Sequence, residues 1–193
     1  MDFLRRAILL LAASACVASG NALAQQPIPG GPIREGTLSF DGHATAGDFT
    51  GTTTTVTGEM TGGVDLASVR GWVEAPVMTL VTGNGKRDKD LNKSMESERY
   101  PTIRYDLVAV VPGEVRGDTA TVTLHGYFLL HGVKQDAAIP ATVLFLPDGI
   151  RVRGETPLNL KTYKIGGLSK MLGMLKMHEE IMVHLDLTFG GSK

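Results

Sequence analysis

The chain has 193 residues, a formal net charge of −1, 42% apolar side chains and a single cysteine, Cys16. A charge balance this close to neutral excludes the basic footprint of a nucleic-acid binder, and one cysteine excludes an internal disulfide framework. The length suits one domain whose stability must come from its apolar core.

In chain order, Arg5-Arg6, an apolar run from Ala7 to Ala18 and the small-residue site Ala22-Leu23-Ala24 form the three parts of a secretory signal peptide. The run is too short to span a bilayer. Residues 1–24 are therefore expected to be removed, leaving a protein in the periplasm or outside the cell. The competing reading is a lipoprotein signal that ends at Cys16, although Ala13 stands where such signals carry leucine. Residues 25–33 hold three prolines and two glycines and read as a flexible lead-in, so the folded domain is expected over 34–193.

Gly36 to Ala44 alternates with Leu38 and Phe40 on one face, the period of a half-buried strand. Threonine-rich Phe49 to Gly62 favours a strand, and Val69 to Val77 alternates until Pro76, which cannot donate to a ladder. Asp88 to Glu98 fits a helix with Leu91 and Met95 four residues apart on its inner face, bounded by Tyr100-Pro101. Four further strands are read over Ile103–Val111, stopped by Pro112-Gly113, then Thr119–Leu130, Asp136–Leu146 and Ile150–Leu160. Gly166 to Met177 places Leu168, Met171, Leu172 and Leu175 at helical spacing, a second helix capping one end. Ile181 to Phe189 is the clearest strand. Eight strands in series with short turns indicate an antiparallel barrel or sandwich, and closure would remove exposed edges. Small residues on the presumed inner face, Gly71, Ala75, Gly126 and Gly154, hint at unfilled space.

Catalytic signals are sparse. No two of the five histidines have the spacing of metal ligands, no G-x-S-x-G elbow occurs, and Gly83-Asn84-Gly85-Lys86 is followed by Arg87 where a phosphate loop needs Ser or Thr. Neither a metal nor a catalytic residue is nominated. Strand parity nominates an apolar interior instead: Leu38, Phe40, Val56, Val73, Ile103, Tyr105, Val122, Leu124 and Phe128.

Four stretches carry a resemblance: G-D-F-T-G at Gly47–Gly51, K-R-D-K-D-L-N-K-S-M with R-Y-P-T-I-R-Y between Lys86 and Tyr105, L-L-H-G-V-K at Leu129–Lys134, and L-N-L-K-T-Y-K-I-G through to the last strand. Together they resemble the YceI-like polyisoprenoid-binding proteins, over essentially the whole chain after the leader. The resemblance implies a mainly β fold, an eight-stranded antiparallel lipocalin-like β-barrel with two short helices, whose apolar tunnel holds a long isoprenoid. It also implies binding or carriage without chemistry, with a polyisoprenoid or quinone-like lipid as the only bound group and a homodimer compatible with the fold. Arg87 and Asp88 are nominated as head-group contacts. Two departures stand out: Asp90 where many members have histidine, and the short Met95-Glu96-Ser97 where many are rich in phenylalanine. Apolar burial alone could drive such binding, since each methylene contributes about 0.8 kcal/mol and a few isoprene units on the order of 10 kcal/mol before entropy costs. Two rival readings make different demands. A lipid-modifying enzyme in the same cavity needs polar groups converging inside, such as Tyr105 with His125, and a stress-related interaction protein needs a solid core.

Overall fold

Alternating apolar residues build the strands of a sheet that closes on itself. The computed structural model describes residues 27–45, 47–166, 169–170 and 175–190. Its strands are β1 (Gly31–Gly42), β2 (Phe49–Thr53), β3 (Thr57–Thr61), β4 (Arg70–Pro76), β5 (Thr102–Arg116), β6 (Thr119–Leu130), β7 (Val133–Leu146), β8 (Gly149–Asn159), β9 (Ser169–Lys170), β10 (Leu175–Lys176) and β11 (Glu180–Gly190), with one helix, α1 (Gly85–Ser94), among the described residues. Neighbours run antiparallel in the order β11-β8-β7-β6-β5-β4-β3-β1, and β11 pairs back onto β1 from Ile33↔Phe189 to Asp41↔Met182. Eight strands thus form a closed barrel. β2 is extra: it covers the upper half of β1 (Leu38↔Thr53 to Gly42↔Phe49), while β3 pairs with the lower half (Gly31↔Met60). No helix among the described residues is long and apolar enough to cross a membrane.

Several expectations change in detail. The strand read over Phe49–Gly62 is two strands, because Thr53 turns its hydroxyl to local work: its Oγ1 accepts from the Thr55 N–H at 3.1 Å and lies 2.7 Å from Thr79 Oγ1. β5 does not stop at Pro112-Gly113 but runs on to Arg116, where Gly117 makes the turn at φ 58°. Its register shifts between Leu107 and Ala109 and again between Pro112 and Val115. The first shift reverses parity, so Tyr105 and Val110 both face inward while Val108 is exposed.

The helix starts earlier than expected, since the Asn84 side chain caps it by accepting from the Lys86 and Arg87 N–H groups, and it ends before Glu96, which is left-handed at φ 45°. The second helix is not formed. Within that segment, β9 and β10 pair as an antiparallel hairpin and Met177 bridges to Ala44, so extended backbone with strand partners replaces a helix that glycines 166, 167 and 173 would have weakened. Leu168, Met171 and Leu172 lie outside the described residues, and Leu175 belongs to β10. Nor is the lead-in loose where it is described: Ile28 exchanges two backbone hydrogen bonds with Gly63 and is buried.

The strand directions give the barrel two different ends. At one, Leu66 begins a 3-10 turn (Leu66–Ser68) capped by Asp65, and with Ile28 and Val69 it fills the opening. At the other lie α1, the β1–β2 loop, the β6–β7 turn and the β9–β10 hairpin.

Candidate functional site

Inward rows from all around the wall leave a cavity of about 350 Å³ along the barrel axis. Leu38, Phe40, Val73, Ile103, Tyr105, Leu124 and Phe128 line it, as their alternation predicts. Two nominated residues do not. Val122 is buried in the same row of β6 but outside the lining, and Val56 packs against the core in the β2–β3 link, beside Gly36.

Aromatic rings shape the space. Tyr105 and Phe128 meet at 5.0 Å between centroids, and Phe40 meets Phe49 edge-on at 6.0 Å. Gly126 does not leave a void as its size suggests: a Cβ there would lie 2.1 Å from the Asp106 carbonyl oxygen and 2.8 Å from Cζ and Oη of Tyr105, so the glycine admits both the neighbouring backbone and that ring. The Tyr105 hydroxyl donates to the Leu124 carbonyl at 3.1 Å, and burial pushes the phenol's pKa upward. His125 is exposed on the outer face. The Tyr105–His125 pair, one example of the converging polar groups that a lipid-modifying enzyme would need, therefore does not converge.

The helix supplies what strand parity could not. Leu91 and Met95 face the cavity as expected, joined by Arg87, Asp90 and Ser94, while Thr45 and Phe49 line it from the β1–β2 side. The Arg87 guanidinium carbon lies 4.3 Å from the centroid of Phe49, and its Nε donates to Thr82 Oγ1 at 3.0 Å. Asp88 has another task. It accepts from the Thr82 N–H at 2.8 Å and from the Thr82 hydroxyl at 2.5 Å, which ties the loop to the first turn of α1 and keeps Asp88 out of the lining. The inner row of β11, with Val183, Leu185 and Leu187, also lines the cavity. Its alternation is plain in the sequence, although none of the three is among the nominated residues.

The most recognisable sequence motifs meet outside the cavity. The Tyr100 ring packs, tilted by 60°, 4.6 Å from the His131 ring, whose Nδ1–H donates to the Tyr163 carbonyl at 3.0 Å and whose Nε2 lies 3.3 Å from Glu96 Oε1. His131 and Gly132 take positive φ (52° and 71°), and a Cβ at Gly132 would come within 2.5 Å of Tyr100. This cluster joins the end of α1, the β6–β7 turn and the exit from β8, and none of Tyr100, His131 and Tyr163 lines the cavity. Among the described residues, no three His, Cys, Asp or Glu side chains converge as metal ligands.

The family model of the YceI-like domain matches residues 34–189. Solved structures share the fold at low identity. A polyisoprenoid binding domain from Saccharophagus degradans, implicated in plant cell wall breakdown, is 15% identical, with TM-score 0.69 over 86% of this chain and 99% of that one. BcnA of Burkholderia cenocepacia is 14% identical, with TM-score 0.67 over 79% of this chain and 95% of that one. The YCEI protein of Campylobacter jejuni is 13% identical, with TM-score 0.54 over 64% and 73%. No curated protein matches the sequence.

Proposed function

The chain belongs to the YceI-like domain family, and from that premise we propose that it binds and carries a polyisoprenoid or similar long-chain lipid without chemically altering it. The carrying observation is the cavity, about 350 Å³ within an eight-stranded barrel and lined by aliphatic and aromatic side chains, with Arg87, Asp90, Ser94 and Thr45 at the α1 end. That volume sits near the lower end for ligand pockets, and a few polar groups over an apolar lining are the usual composition of such sites. A slender prenyl chain lies along the barrel with its head at Arg87, whose guanidinium Phe49 and Thr82 already orient. A core packed solid is at odds with this space. The Saccharophagus degradans relative, a polyisoprenoid binding domain, supports the same ligand class.

The leader read in residues 1–24 supports carriage in the periplasm or outside the cell, and the intact mass of the exported protein checks its removal after Ala24. Organic extraction of purified protein followed by mass spectrometry tests the ligand. A recovered prenyl lipid, or a melting temperature raised by an added prenyl alcohol, is the expected result. An extract without lipid, together with no binding of any prenyl chain, ends the carrier reading.

A further inference from the structure

A lipid carrier's cavity does not say how the protein meets the surface its cargo lives in, and the outer side of α1 does. Lys86, Lys89 and Lys93 are exposed and spaced three and seven residues apart, which puts them on one face of the helix, away from Leu91 and Met95 on the cavity side. Among the described residues, no ion pair holds any of the three ammonium groups. Of the carboxylates at this end, Asp48 pairs with His43 at 2.8 Å, Glu96 with Arg99 at 3.7 Å and Glu179 with Lys161, Asp88 accepts from Thr82, Asp90 lines the cavity, and Glu98 is exposed beyond the end of the helix. Immediately before the helix, the 77–82 loop turns Val77 and Leu80 inward and leaves Met78 and Val81 outward, 69% and 56% exposed. These are among the most exposed large apolar side chains described, and they stand on the rim where Leu80 and Arg87 line the cavity.

From this arrangement we propose that the rim formed by the 77–82 loop and α1 docks on an anionic membrane surface. The lysine row meets lipid phosphates, and Met78 and Val81 enter the interface. Cations beside outward apolar side chains are the combination that binds such surfaces, through electrostatic attraction and buried apolar area together. Docking there turns the cavity's polar end toward the membrane, so a chain could pass between bilayer and barrel along a short path. The proposal rests on the lipid-carrying reading for its purpose but not for its measurement.

Sedimentation with vesicles tests it, using protein from Gln25 onward so that the apolar leader cannot itself bind lipid. Every described barrel contact is retained in that chain. Partition onto phosphatidylglycerol vesicles, falling with added salt and weak on phosphatidylcholine vesicles, is the expected outcome. Each lysine near the surface is worth about fivefold in partition, so the triple change Lys86→Gln, Lys89→Gln and Lys93→Gln lowers it on the order of a hundredfold. Met78→Ser with Val81→Thr lowers it further at high salt, where the apolar part remains. No partition onto phosphatidylglycerol vesicles overturns the proposal, and so does partition that the triple variant leaves unchanged. Binding of a soluble prenyl alcohol, measured on the same variants without vesicles, stays at the parent level. If the parent itself binds no prenyl alcohol while the vesicle results hold, the carrier reading fails and the docking surface stands.

Discussion

The two ends of the barrel are built from different chemistry around one cavity. At the far end Leu66, Val69 and Ile28 are almost wholly buried, and Ile28 is pinned by paired hydrogen bonds to Gly63. At the mouth the lining turns polar with Arg87, Asp90, Ser94 and Thr45, and the loops around it are held by side-chain hydrogen bonds such as those of Thr82 and His131. Plugging one end with apolar side chains adds core stability. Leaving polar groups at the other permits water, a lipid head or a membrane to meet them. On the proposed reading, the apolar end serves mainly stability and the polar end mainly recognition.

The largest effect is expected at the plug. Leu66→Ala removes buried aliphatic volume that has nowhere to collapse, and should cost about 2–5 kcal/mol of stability, read from a denaturant midpoint. Because Leu66 also borders the cavity, the same variant should accept a longer prenyl chain than the parent; an unchanged chain-length preference would break the picture of a plugged end. Next, Val73→Trp fills the middle of the cavity. Prenyl-alcohol affinity should fall at least about tenfold, the equivalent of excluding roughly two methylenes, while the melting temperature moves little.

At the mouth the effects are smaller and fall mainly on binding. Arg87→Gln should weaken a prenyl phosphate by about tenfold and a prenyl alcohol much less, with a stability cost of about 0.5–1 kcal/mol from the lost contact with Phe49. Equal losses for both ligands would remove Arg87 from head-group recognition. The smallest effects are those of pH on the barrel's own groups. Outside the barrel, hydrogen bonds from Thr50 and then His184 hold the Asp41 carboxyl below its usual range, and Arg151 does the same for Asp186. Carboxyls depressed in the folded state add stability that is present above their unfolded pKa and lost as pH falls through the folded values, so unfolding midpoints should drop below about pH 4. Asp186→Asn should flatten part of that slope. Inside, the raised Tyr105 phenol acts in the opposite sense: its contribution is lost as pH rises above about 10, and Tyr105→Phe should reduce that alkaline loss.

Much of the wall was legible from residues alone. Period-two alternation in β1, β4 and β6 placed Leu38, Phe40, Val73, Leu124 and Phe128 inward, because a closed sheet with one buried face leaves each strand little choice of side. Ile103 and Tyr105 followed the same rule only because the parity change in β5 comes later, at Val108. The β9–β10 segment shows where local reading fails: leucines and methionines at helical spacing said helix, but neighbouring backbone edges at Ala44 and His43 offered extended partners. Asp88 stays out of the cavity lining for a related reason. Sequence shows a charge beside Arg87, but only the folded loop shows that Thr82 takes it.

The sequence by itself determined antiparallel strands around an apolar interior and a polar helix set between two of them, since alternation, turn residues and helix spacing are local properties that burial enforces. Tertiary structure alone decided which end is open. Register shifts, the pairing of β11 with β1 and the convergence of Tyr100, His131 and Tyr163 join residues far apart in the chain, and no local pattern records such meetings.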